Sequence, residues 1–185
     1  SITTSPLNID TQQWGIAVVK AQANLPDALP GQAVTFLLLG DVQLRTGVEQ
    51  DSDQNPMQAV YFTTGIGDTR CSDAPESSLI IQGPENITVD LRVNGANIQL
   101  GSTLIFRSGE DNSMECGVLD GAAVVGRGGQ VIPAGFSARV PLDENLNTDG
   151  DWGANEPLAG DDAAALQVLR ELPDGLLNYM PDVPT

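Results

Sequence analysis

The sequence predicts an all-β fold: an antiparallel β-sandwich, jelly roll or β-roll of about ten short strands, with one short C-terminal helix. Three observations carry this prediction. Ile87, Val89, Leu91 and Val93 alternate with Thr88, Asp90 and Arg92, the two-residue period of a strand with one buried face. Asn94-Gly95 follows directly, and that dipeptide suits a tight hairpin turn whose two central residues both take positive φ. Twenty glycines and twelve prolines in 185 residues punctuate the chain in a way that suits many turns and few helices. Folding 87–100 about Asn94-Gly95 sets Val93 against Ala96, Leu91 against Ile98 and Val89 against Leu100 on one apolar face. Arg92 then faces Asn97, and Asp90 faces Gln99, on the other face. A one-residue slip would bury this polar set, so the register is fixed.

The remaining elements follow in order. Residues 1–13 are polar and turn-rich, an N-terminal arm. Trp14, Ile16 and Val18 alternate ahead of Lys20, so 14–23 reads as a strand. The prolines of LPDALPG make 25–31 a connector. Residues 33–47 begin as a continuous apolar strand and continue as an alternating one through Val42 and Leu44. Strands are expected at 57–64 and 79–82, separated by a long loop that carries Cys71. After the hairpin come 102–107, then a strand that turns Met114, Cys116 and Val118 to one side. Glycine turns lead into AAVV and QVIPAGF, and Phe136, Ala138 and Val140 close the β domain, 1–141. Residues 142–185 form the second unit: an acidic loop, a helix over 161–172 and an apolar tail that docks on the β domain or on a neighbour. Asp161 or Asp162 caps this helix, Leu166, Leu169 and Leu172 share a stripe, and Pro173 ends it.

Charge narrows the partners. Twenty-five acids against eight Lys and Arg give a formal net charge of −17, which nucleic acid and anionic membrane surfaces repel. An acidic extracellular surface accounts for this balance, and adaptation to high salt is the competing account. No run of apolar residues is long enough to insert in a membrane. The chain begins at Ser1 rather than Met, which we read as an exported protein, secreted or held at the cell surface, with its signal removed. In that setting Cys71 and Cys116 are expected to form a disulfide, worth about 3–4 kcal/mol; two buried free thiols are the alternative. Asn86-Ile87-Thr88 is a glycosylation sequon.

The run from LIIQGPENITVDLRVNGANIQLGSTLIFR through MECGVLDGAAVV to QVIPAGFSARVPL, within 78–141, resembles FecR-type and cupin-like β modules. The matching positions are Leu119, Gly121, Ala122 and Val124, then Ala134 and Gly135. The resemblance implies a glycine-punctuated series of short strands and, on the FecR side, extracytoplasmic interaction rather than catalysis. Cupin enzymes hold metal with histidines, and this chain contains none.

The same lack of histidine removes the usual base of Ser-His-Asp or Cys-His catalysis, and no enzymatic activity is expected. The acidic loop holds a calcium candidate: Asn145, Asn147, Asp149 and Glu156 fall at positions 1, 3, 5 and 12 of an EF-hand-like spacing, with Gly150 at the turn. Asp143 and Asp151 add oxygen donors, and calcium is the one cofactor considered. Asp51, Asp53 and Asn55 repeat the alternate-donor start, but Pro56 replaces the glycine. With two Trp, two Tyr and four Phe, the chain has few rings on which to stack sugars, so carbohydrate is disfavoured as a partner. The expected function is a non-catalytic extracellular structural protein, a filament or surface-layer subunit. It would form a homo-oligomer or polymer through its terminal arms or by strand addition, with Trp14, Ile16 and Val18 as assembly residues. The alternative is a monomeric cell-surface ligand-binding or sensory module.

Overall fold

The computed structural model describes residues 1–22, 32–47, 57–66 and 75–182. Cys71 and the Asp51–Asn55 donors lie outside the described residues. Alternating and continuous apolar segments sort into two kinds of sheet. The first sheet is ordered β1 (Ile2–Thr3), β4 (Val42–Thr46), β5 (Ala59–Thr64), β7 (Val89–Val93), β8 (Ala96–Leu100), β11 (Ala122–Val125), β12 (Gln130–Pro133). The second is ordered β14 (Glu156–Pro157), β13 (Phe136–Pro141), β10 (Ser113–Asp120), β9 (Thr103–Gly109), β6 (Ser78–Gln82), β3 (Ala33–Leu39), β2 (Ile16–Gln22). The described residues thus hold fourteen strands, more than the predicted ten, the surplus coming mainly from short pieces such as β1 and β14.

The sheets pack face to face as a sandwich. Val42, Leu44, Val60, Phe62, Leu91, Ile98 and Val125 of the first sheet meet Phe36, Leu38, Ile81, Leu104, Phe106 and Val118 of the second. The rings of Phe62 and Phe106 bridge the layers edge to face, with centroids 5.8 Å apart. The hairpin takes the register expected of it, Val89↔Leu100 through Val93↔Ala96. Met114, Cys116 and Val118 all enter the core.

The two outer faces differ. β3, β6 and most of β9 are buried along their whole length, because the helix α1 (Asp161–Glu171) covers the second sheet's far side. Ala165 and Leu169 of α1 are buried against Leu37, Leu39, Ile80, Ile105 and Leu119, with Leu166 and Leu172 beside them. Among the described residues no element covers the outer face of the first sheet at β7 and β8, which alternate strictly between buried and exposed.

Several expectations need correction. Neither Asp161 nor Asp162 caps α1: the N-cap is Gly160, without a side-chain capping bond, and Asp162 is drawn into an ion pair beneath the helix. The N-terminal arm returns to its own domain, where Ile2 and Thr3 pair with Leu44 and Gln43. Trp14, Ile16 and Val18 share one face as their alternation implies, Ile16 and Val18 lying opposite Leu39 and Leu37, but Trp14 and Val18 pack under α1 within the subunit, and of the three Ile16 stays exposed. The segment after 142 has a fixed path. The backbone N–H groups of Asp149 and Gly153 donate to the carbonyls of Pro141 and Arg139 at 2.8 Å each. Glu156 then pairs with Ser137, so the β region extends past 141.

Candidate functional site

The bare face of the first sheet carries the candidate site. Alternation along β7 turns Asp90 and Arg92 outward, and the hairpin register sets Gln99 and Asn97 opposite them. Arg92 Nε points at Asn97 Oδ1 at 3.4 Å. The parallel neighbour β5 places the small Ala59 beside Arg92. The tight turn from β11 to β12 brings Arg127 to the same place, fixed by Gly126 N–H donating to the Asn97 carbonyl at 3.2 Å. Gly126 has φ +68°, and a Cβ there would stand 2.9 Å from Trp152 Cδ1, so the turn and the Trp152 ring need glycine at this point.

These residues line two joined grooves. One, of about 620 Å³, runs over Asp90, Arg92, Asn97, Gln99 and Val124. The other, of about 680 Å³, runs from Arg92 and Arg127 to Asp149, Asp151 and Trp152. Arg92, Asn97, Gly126 and Arg127 belong to both. Among the described residues, the ion pairs within 4 Å engage Arg107 and Arg139 and leave Arg92 and Arg127 without a carboxylate partner. Farther along this face Arg45 stacks on Tyr61, 4.3 Å from the ring centroid.

The acidic loop serves its own conformation. Asp143 Oδ1 accepts the N–H groups of Asn145 and Asn147 at 2.8 Å each, and Asn147 Oδ1 accepts the Tyr61 hydroxyl at 2.5 Å. Glu156 sits apart in β14. Asp149 and Asp151 reach the groove rim instead. Among the described residues no three of Asp, Glu, His or Cys are grouped to hold a metal ion.

The other candidate residues are dispersed. Cys116 is a buried free thiol inside the sandwich, and burial, with a smaller push from Glu115, drives its pKa far up. That keeps it a thiol and a poor nucleophile. Asn86 lies exposed in the turn between β6 and β7 with φ +62°, so its sequon faces solvent. On the far side of the molecule Arg107 Nη1 meets Asp162 Oδ1 at 2.5 Å, the two side chains being 10% and 3% exposed. Among the described residues Arg107 Nε and Nη2 have no hydrogen-bond partner, and Nε stands 3.9 Å from Glu76 Oε2.

Arg92, Asn97 and Arg127 read in the sequence as an outer polar face and a turn. The available signal was arginine at an outward strand position in a chain of net charge −17, where Arg is scarce.

No protein-family model matches the chain, and no curated protein matches it. Two solved structures resemble it, both of a "putative anti-sigma factor" from Parabacteroides distasonis. One is 14% identical with a TM-score of 0.47, over 90% of this chain and 63% of that one. The other is 15% identical with a TM-score of 0.43, over 82% of this chain and 64% of that one. The chain thus spans less than two thirds of the length of either protein.

Proposed function

We propose that the protein is a non-catalytic, exported structural subunit that self-associates by strand addition along β2. The observation that carries this reading is an asymmetry among the four sheet edges. β1 and β14 are two residues long, and β12 is four residues ending in Pro133. Short edges and proline discourage pairing with another chain. β2 is seven residues long, contains no proline and meets no strand on its outer side among the described residues. The bond from Gly40 N–H to the Gly15 carbonyl, 2.8 Å, sets the phase of the β2–β3 ladder. Ile16, Val18 and Lys20 therefore turn their backbone polar groups away from β3.

A second copy suits this edge. Antiparallel pairing of β2 with its equivalent about Val19 sets Ala17 against Ala21 and Val18 against Lys20, so the strand's one charge meets an aliphatic residue. Ala17, Val19 and Ala21 lie on the sandwich-core side, so pairing would continue that core from one subunit into the next. This gives the strand-addition route a location and moves the assembly contact from the arm to the edge, with Ile16 its exposed apolar residue.

Lys20→Pro tests the reading. It removes an outward N–H, leaves the ladder to β3 intact, and costs the domain one exposed hydrogen bond, from Nζ to the Gly175 carbonyl. Sedimentation should find the native chain dimeric or larger and the variant monomeric with an unchanged far-ultraviolet spectrum. A native chain that sediments as a monomer at about 100 μM overturns the proposal.

A further inference from the structure

We infer that the joined grooves on the first sheet bind a carboxylated oligosaccharide, a chain of uronic-acid units. The inference is independent of self-association, since β2 contributes no residue to these grooves, and it gives the ligand-binding alternative a site. Charge is the first argument. In a chain of net charge −17, Arg92 and Arg127 line the same groove without a carboxylate partner among the described residues. Guanidinium groups present paired N–H donors that match a carboxylate's two oxygens. The acids elsewhere on the surface oppose a ligand's approach only weakly, because salt screens exposed charges beyond about 8 Å at physiological ionic strength.

The neighbours of the arginines set the second argument. Asn97 and Gln99 offer donors and acceptors, and Asp90, Asp149 and Asp151 are acceptors. Acceptors beside guanidinium groups suit a ligand that carries hydroxyl donors as well as carboxylates. A uronic sugar has both on each ring, whereas the side chains of an acidic peptide bring carboxylates and no hydroxyl donors to Asp90, Asp149 and Asp151. The open, joined shape of the grooves suits an extended chain over a small molecule, which needs enclosure. Recognition of this kind runs through polar groups, so the shortage of aromatic residues that disfavours neutral sugars does not count against it. Trp152, bordering the second groove, supplies one ring.

Titration calorimetry of the full chain with oligogalacturonate, maltohexaose and oligoglutamate tests this. Oligogalacturonate should bind, maltohexaose should not, and oligoglutamate should bind more weakly than oligogalacturonate. Arg92→Ala and Arg127→Ala should each weaken the uronate complex by about tenfold or more, with unfolding midpoints unchanged because both side chains are exposed. Affinity should also fall as salt rises from about 50 to 500 mM. Absence of oligogalacturonate binding, equal binding by the double variant, or oligoglutamate as the tighter ligand would each overturn the inference. Sedimentation of the same samples keeps this outcome separate from self-association.

Discussion

Asn94 has two tasks, and the sequence discloses one of them. Its φ of +46° is the left-handed conformation that the hairpin turn requires. Its side chain, fully buried, also extends the neighbouring parallel ladder: Oδ1 accepts the Phe62 N–H at 2.8 Å, and Nδ2 donates to the Phe62 carbonyl at 3.1 Å. The amide thus stands in for the next peptide of β7 where that strand turns away, after Asn94 N–H has bonded the Val60 carbonyl. Glycine at this position would keep the turn and lose the surrogate peptide. Asn94→Gly should therefore cost about 2–4 kcal/mol in urea denaturation, the penalty for two buried backbone groups left unpaired. If glycine were neutral or stabilising, the turn conformation would be the residue's whole role. A pattern of apolar and polar positions specifies φ and facing, but not a hydrogen bond to a strand about thirty residues away in sequence, so this second task was not legible.

At the scale of elements, what the sequence disclosed depended on where the information lay. The hairpin register, the inward Cys116 strand and the leucine stripe of α1 were readable, because each rests on local periodicity. The neighbour of β5 was not: a parallel pairing with β7 leaves no local mark, since parallel strands need a long connection. The anchoring of α1 was equally hidden. Arg107 on β9 and Asp162 in the first helical turn form a buried pair under the helix. Burial raises the Asp162 pKa, with Arg107 pulling against it, so desolvation outweighs attraction and the ionised pair is a net cost. Well below the ordinary carboxylate value of 3.8 the carboxyl is protonated whether folded or not, and its contribution to stability declines as pH rises through the higher folded value. Arg107→Met strands the carboxylate and should cost about 3–5 kcal/mol at neutral pH and little near pH 4. Arg107→Met/Asp162→Leu should regain or exceed native stability. Urea denaturation at both pH values checks this; a single-variant cost that does not change with pH would show that packing, and not charge, holds the helix there.

For the whole molecule, the net charge of −17 sets a standing repulsion that folding must overcome. The acids are spread over exposed turns, and among the described residues few are paired with a base. Thermal unfolding should therefore move to higher temperature between about 10 mM and 500 mM sodium chloride, most of the rise falling below about 150 mM as the screening length drops under 10 Å. A midpoint that does not move with salt would mean that the acids are already neutralised locally. The candidate site was the least legible level of all, because it joins a hairpin face, a turn between two other strands and the rim of the 148–152 loop. Each part looked ordinary alone, and their meeting is a product of strand order. The unequal covering of the two sheets then has a consequence for how this protein can change. The outward residues Leu37, Leu39, Ile80, Ile105 and Leu119 of the second sheet are tied to the helix, so variation there requires matched repacking. Outward positions of β7 and β8 touch the core through nothing but their backbone, and they can be exchanged one at a time. The bare sheet is the part of the molecule on which recognition can diversify between relatives, and be re-engineered, without disturbing the fold.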